Sequence, residues 1–318
     1  MRFTELISLD QKVRNGINGE YTFRKISIPV PGEDLTLGGL LCTPRDRGEY
    51  YYAVEHPKER ILLHFTAGHI RSDLSTLTTN KRHVSVPFVI GRDGTIYQLF
   101  SSKFFSGNIG KGIGNIDTGN AQDKATISIE ISNYGYLAER DGNLETFYSR
   151  LTDDFGGKAP VDIYCSLSEK EAYIKQEAPF RGQTYFASYT EAQYNSTIIL
   201  LRYLTAQYKI PRQFLPEPER YTASENVLLF KGIVSHVNYR AGGKWDIGPA
   251  FDWKKLIDGV QADKYVSTAN VFERADWEDF GEEGEEIGSE DGMEQYLPKG
   301  KDPKTQNESY EEAPGVNI

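Results

Sequence analysis

Apolar residues along this chain fall into short strand-length runs through its first half and into one long helical spacing in its second. Arg60–Phe65 has the length and composition of a buried strand. Val84–Ile90 and Thr95–Phe100 read as strands joined by Gly91-Arg92-Asp93-Gly94, a strong hairpin signal because Asp-Gly accepts the positive φ of a tight turn. Ala125–Ile131 alternates and is rich in β-branched residues, which predicts another strand. Upstream, Phe23–Pro29 and Leu35–Cys42 read as strands about the turn Pro31-Gly32-Glu33-Asp34. The rest of 1–58 has no clear period, and this part is expected to be an N-terminal arm or a small added sheet.

Helical spacing is clearest after Thr190. Thr190-x-x-Gln193 is a capping box, and Tyr194, Ile198, Leu201 and Thr205 lie on one face of a helix expected to run to about Lys209, before Pro211. Ser72–Thr78 predicts one or two helical turns, Ser168–Gln176 a helix, and Asp252–Val260 a closing helix. Ile233–His236 is a further short apolar run. Between them, 134–189 is long and mixed, with turns at Arg140-Asp141-Gly142-Asn143 and Phe155-Gly156-Gly157. A segment of that length between core elements is expected to border a binding groove. Strands and helices in alternation predict an α/β domain over 59–261.

Composition sharpens this picture. Aromatic residues make up 12% of the 318 residues, which excludes a chain disordered throughout. No apolar run approaches a membrane span, and the first residues lack the apolar stretch of a secretory signal. The protein is therefore expected to be cytoplasmic as synthesised, with release or injection as its route to any external target. Two cysteines, Cys42 and Cys165, cannot build a disulfide framework and are expected as free thiols.

The net charge of −10 is unevenly placed: residues 262–318 carry 16 acids and 5 bases, whereas 1–261 carry 30 acids and 31 bases. The last segment reads as a disordered acidic tail, either solvating or a docking segment for a delivery partner. The near-neutral body has no dominant basic cluster, which argues against nucleic acid as a partner.

Of five histidines, two end apolar runs: His64 after Ile61-Leu62-Leu63, and His236 after Ile233-Val234-Ser235. A histidine at the end of a buried strand points into whatever cleft lies at that edge. Ten residues after His236 comes Asp246. Two imidazoles and a carboxylate make a ligand set for a catalytic zinc with one position left for water. Two distant histidines and an aspartate are also common without a metal.

Five strings carry more weight together than apart. They are His64-Phe65-Thr66-Ala67, Val89-Ile90-Gly91-Arg92-Asp93-Gly94-Thr95-Ile96-Tyr97-Gln98, Ile127-Ser128-Ile129-Glu130, Gln193 on the long helix, and His236 followed by Lys244-Trp245-Asp246-Ile247-Gly248-Pro249-Ala250-Phe251-Asp252-Trp253. In order and placement, this set resembles the zinc-dependent N-acetylmuramoyl-L-alanine amidases of the phage-lysozyme and peptidoglycan-recognition-protein type, over about 59–257.

The resemblance implies a mixed central β-sheet flanked by helices, with the zinc in a surface groove. It implies Zn2+ on His64, His236 and Asp246, Glu130 as the proton carrier and Lys244 as the stabiliser of the oxyanion. Thr66, Ala67 and Asn108 are the implied substrate contacts. The implied reaction is hydrolysis of the amide between N-acetylmuramic acid and L-alanine, on peptidoglycan or a muropeptide. A non-catalytic muropeptide-binding module is the alternative, and retention of all three ligands with Glu130 favours the enzyme. A phage endolysin, a recycling amidase and an injected toxin all suit this reading.

The chain departs from the pattern in three places. Val86-Pro87 stands where many members have Tyr-His or Ala-His, which leaves the chemistry to Glu130 and Lys244. Phe105-Ser106-Gly107 replaces a His-containing string, so a substrate-binding histidine is missing. Ile247 replaces the usual Pro after the ligand aspartate. His56, His69 and His83 match no family role and are read as non-ligands.

Overall fold

The computed structural model of the chain describes residues 2–15, 20–45, 48–113, 121–151 and 160–267. The turn expected at 155–157 and nearly all of the acidic tail lie outside the described residues.

Seven strands form the central sheet: β1 (Tyr21–Pro29), β2 (Thr36–Pro44), β3 (Arg60–Phe65), β4 (Phe88–Ile90), β5 (Ile96–Gln98), β6 (Thr126–Ile131) and β12 (Gly232–Ser235), in the order β1-β2-β5-β4-β6-β3-β12. The sheet is mixed. β1–β2 and β4–β5 are antiparallel, and the other neighbours run parallel. At its centre β3 pairs with β6 from Arg60↔Thr126 to Phe65↔Ile131, and with β12 from Arg60↔Gly232 to Leu63↔Ser235. All six residues of β3 are buried. That is why this strand reads as a continuous apolar run rather than an alternating one.

Pleating divides these residues between two faces. Ile61, Leu63, Ile127, Ile129, Ile131 and Ile233 pack with Ile198, Leu201 and Leu204 of helix α4 (Glu191–Tyr208) and Leu256 and Val260 of α6 (Trp253–Gln261). Leu62 and Val234 point the other way, toward Ile109, Leu215, Val227 and Tyr239. His64 and Glu130 follow the second parity, so both leave the sheet on the face away from α4.

The long helix forms as its sequence predicts. Thr190 caps it, its hydroxyl accepting from Gln193 N while the Gln193 side chain accepts from Thr190 N, and Lys209 closes it in the left-handed region. Burial extends almost all round α4, beyond the single predicted face. The predicted helix near 72–78 is α2 (Ile70–Leu77), and α3 (Ala121–Ala125) and α5 (Glu217–Arg220) are short helices. The hairpin strands β4 and β5 are shorter than predicted.

Two stretches depart from the pattern. The first is α1 (Arg2–Arg14), whose buried residues are Leu6, Asp10 and Val13. Their spacing is helical, but one of the three is charged, so the stripe is not legible as apolar. Asp10 accepts a hydrogen bond from the Arg92 backbone N–H, and Arg14 pairs with Asp93 at 3.3 Å. Arg2 reaches Asp162 Oδ1 (2.6 Å), Ile163 O (2.7 Å) and the Tyr134 hydroxyl (2.9 Å). The helix thus ties the β4–β5 turn to the insertion.

The second departure corrects the helix predicted at 168–176. The insertion folds as a second sheet of β7 (Tyr136–Arg140), β8 (Asn143–Glu145), β9 (Ile163–Ser166), β10 (Tyr173–Phe180) and β11 (Gln183–Ala187), in the order β10-β11-β7-β8-β9. Glu169 closes a turn by accepting from Ser166 N at 2.8 Å, and Tyr173, Ile174 and Lys175 then pair with Ala187, Phe186 and Tyr185. Cross-strand pairing overrides the helical preference of the Ser-Glu-Lys-Glu segment.

The β1–β2 hairpin is not a detached sheet: β2 pairs with β5, extending the central sheet. Its turn residue Glu33 forms ion pairs with the buried Arg202 of α4 and with Arg212. Cys42 and Cys165 are both free and buried. Among the described residues, no helix is long and apolar enough to cross a membrane.

Candidate metal centre

His64 is the fifth residue of β3 and lies directly opposite Glu130 of β6 in the parallel register. His236 begins a single 3-10 turn immediately after β12, two strands from β6. Asp246 arrives from the following loop, held by Val237 N donating to Asp246 O at 2.9 Å. All three are buried, at 2%, 2% and 4% exposure. One potential ligand atom from each lies within 4.8 Å of the others.

The contacts among them define protonation states. His236 Nε2 is 2.9 Å from the carbonyl oxygen of Ile109. A carbonyl can only accept, so Nε2 carries the proton and Nδ1 of the neutral ring presents a lone pair. That lone pair faces Asp246 Oδ2 at 2.9 Å, and His64 Nδ1 faces the same oxygen at 3.0 Å. Burial pushes His236 down to about 4 against the opposing pull of Asp246, so the ring is neutral at pH 7. Burial would raise the Asp246 carboxyl, and the Lys244 cation works against that by favouring its charged form.

An imidazole lone pair facing a carboxylate oxygen in a buried site is repulsive unless a cation lies between them. His64 Nε2 is also buried with no hydrogen-bond partner. Imidazole nitrogens with one carboxylate form a borderline-soft donor set that suits zinc. The residues therefore fit a zinc ion.

Glu130 Oε2 is a buried atom without a hydrogen-bond partner. Burial, then Asp246 and Asp73, raise the Glu130 carboxyl well above its usual range, and Lys244 opposes them. Lys244 also favours the charged form of Asp246 and the neutral form of His236.

The remaining predicted contacts sit close by. Thr66 and Ala67 form the turn after β3. The Thr66 hydroxyl accepts from Gly68 N and Asn133 N, both at 3.3 Å, and Ala67 takes φ 58°. Asn108 Oδ1 accepts from Ser128 of β6 at 2.7 Å, immediately before Ile109.

Arg92 and Gln193, two marks in the sequence pattern, serve as scaffold. Arg92 donates to Ser132 Oγ and to Gly68 O, both at 2.9 Å, and Gln193 Nε2 donates to Ser132 O at 2.8 Å. They hold the ends of β3 and β6 that carry the site. The other histidines are elsewhere engaged: His69 caps α2, His83 stacks on Tyr52, and His56 meets the Phe105 ring edge-on.

One contributor was not predictable from side-chain patterns: Ile109 acts through its carbonyl, which any residue could supply.

A sequence-family profile for N-acetylmuramoyl-L-alanine amidase matches residues 55–249. No curated protein matches the chain. Similar solved structures include the N-acetylmuramyl-L-alanine amidase AmiD from E. coli, in complex with anhydro-N-acetylmuramic acid-L-Ala-D-γ-Glu-L-Lys. It is 20% identical, with 73% of this chain and 65% of that chain covered and a TM-score of 0.39. A point mutant of PlyL is 15% identical over 67% of this chain and 90% of its own, with a TM-score of 0.37. A selenomethionine derivative of AmpD is 16% identical over 67% and 92%, with a TM-score of 0.34. The chain thus spans 65% of the length of the AmiD chain.

Proposed function

The chain belongs to the N-acetylmuramoyl-L-alanine amidase family, and from that premise we propose that it hydrolyses the amide between N-acetylmuramic acid and L-alanine, with Zn2+ held by His64, His236 and Asp246. One observation carries the reading: the three ligand residues converge in a buried site beside Glu130, inside the span that matches the family.

An amide carbonyl is a poor electrophile and an amine a poor leaving group, so the reaction needs activation at both ends. Bound zinc supplies Lewis-acid polarisation and brings the pKa of a water toward ~7. The protein's own groups do the rest. Glu130 accepts the proton of the attacking water on its carboxylate and delivers it to the departing amine nitrogen. Its raised affinity for a proton suits it to hold that proton between the two steps. Lys244 offsets the negative charge that develops on the carbonyl oxygen. The Ile109 carbonyl holds His236 in the tautomer that presents Nδ1. The turn Thr66–Ala67 and Asn108 contact the sugar or stem peptide in this reading. The substrate is peptidoglycan or a muropeptide released from it.

The test is mass spectrometry of purified peptidoglycan digested by the protein with and without a chelator. Free stem peptides beginning with L-alanine, lost on chelation and restored by zinc, are the expected products. Intact muramoyl-peptide bonds with metal-loaded protein would overturn the reading and leave a binding module.

A further inference from the structure

The loop that brings in Asp246 has little to hold it from within. Gly242 and Gly243 are exposed, a Cβ added at either would meet nothing within 4 Å, and Gly243 takes φ 70°. A Gly-Gly segment of this kind has much conformational freedom to lose on ordering. Besides the Val237 N to Asp246 O bond, its restraint comes from the tip of the β10–β11 hairpin in the insertion.

We infer that Arg181 is a positioning residue for the metal centre, its guanidinium bridging the main chain of the His236 segment to the main chain of the Asp246 loop. Nη1 donates to Lys244 O at 2.5 Å, and Nη2 donates to Val237 O at 3.0 Å. Val237 follows one ligand directly, and Lys244 precedes another by two residues. The contact is reciprocal, because Trp245 Nε1 donates to Arg181 O at 3.1 Å. Neighbouring residues of the second sheet add to the hold. The Tyr136 and Trp245 rings lie 4.5 Å apart, and the Phe180 ring packs so closely on Gly248 that an added Cβ would come within 2.4 Å of it.

Two features single out Arg181 within its hairpin. Phe180 pairs with Gln183, so Arg181 and Gly182 form a two-residue turn, with φ 47° and 80°. A turn with positive φ at both positions favours Asn or Gly at the first. An arginine there is disfavoured by backbone preference alone, and its side chain supplies the compensating contacts. The forked guanidinium also reaches two carbonyls on separate segments at once, which a lysine ammonium on a single stem does not reproduce. The insertion therefore acts on the ligands, through the loop that carries one of them.

This inference rests on the zinc-centre reading above, and the experiment separates the two. Zinc affinity is measured by competition with a chromophoric chelator for wild-type protein, Arg181→Asn, Arg181→Gly and Arg181→Lys, alongside thermal unfolding of the metal-free forms. Asn and Gly both suit the left-handed turn, so the hairpin is retained while the bridge is lost. Zinc affinity is expected to fall about tenfold or more in both, as for other residues that orient ligands. Unfolding of the metal-free forms should remain near that of wild type, and Arg181→Lys should not restore the affinity. Wild-type affinity in folded Arg181→Asn or Arg181→Gly, or full restoration by Lys, would overturn the positioning role alone. Absence of stoichiometric zinc from wild-type protein would overturn the metal-centre reading itself.

Discussion

His236 donates its Nε2 proton to the carbonyl oxygen of Ile109 across 2.9 Å, which leaves Nδ1 facing Asp246. One main-chain oxygen thereby sets which nitrogen of the ring is free for a metal. The same geometry makes Asp246 a partner of both histidines, and its charge is the feature most open to test.

Asp246→Asn preserves the volume and one acceptor oxygen but removes that charge. Zinc affinity is expected to fall by more than about 100-fold, beyond the usual effect of a residue that only orients a ligand. Metal content after equilibrium dialysis checks this. Retention of wild-type zinc would remove Asp246 from the ligand set.

Glu130→Gln keeps the shape of the side chain and removes its capacity to take up a proton. Turnover is expected to drop by about 10²–10⁴-fold with zinc still bound. Parallel measurement of kcat and zinc occupancy decides between a proton-transfer role and a loss of the metal.

Asp10 links stability to pH. Burial raises its carboxyl from 3.8 to about 7, with Arg92 pulling the other way. The folded protein then binds more protons than the unfolded chain between those values. The contribution of Asp10 is fully present below about pH 4 and is lost as pH rises through about 7. Asp10→Asn removes this dependence. Relative to the variant, wild-type protein should lose about 2–4 kcal/mol between pH 4 and 8. Urea unfolding of both proteins at the two pH values is the measurement, and parallel stability profiles would refute it.

Glu33→Gln tests whether the N-terminal hairpin is structurally integral. The substitution leaves the buried Arg202 without its carboxylate, although Arg202 keeps carbonyl partners at Gly259, Val260 and Ala262. A loss of about 3 kcal/mol is expected, in the range for breaking a buried ion pair. Denaturant titration would show no change if the hairpin were only an appendage.

Both thiols should be inert in the folded protein. Burial raises Cys42 far above the usual thiol range, and burial with Glu169 nearby raises Cys165 to about 11. A thiol-reactive chromogen at pH 8 is expected to label neither in native protein and both after unfolding. Rapid native labelling of either residue would contradict the buried placement.

Much of this molecule was written in short-range signals. The apolar run of β3, the Asp-Gly turn between β4 and β5, the capping box of α4 and the Asp252 start of α6 each depend on neighbours within a few residues, so all were legible in the sequence. The strand ends carrying His64 and His236 were legible for the same reason, and the ordered motifs supplied Asp246, Glu130 and Lys244. The helix expected at 168–176 failed because its alternative, pairing with β11, is worth nothing until the chain has turned back on itself. Helix α1 escaped because the middle residue of its buried stripe is Asp10, whose partner is the main chain of Arg92. Ile109 and Arg181 escaped because their contacts are to or from carbonyl oxygens, which no side-chain pattern records. The local signals determined the strands, the long helix and the chemical types at the centre; only the tertiary structure decided which ring nitrogen is free, what holds the Asp246 loop and where the insertion bears on it, because those depend on main-chain groups brought together across more than fifty residues.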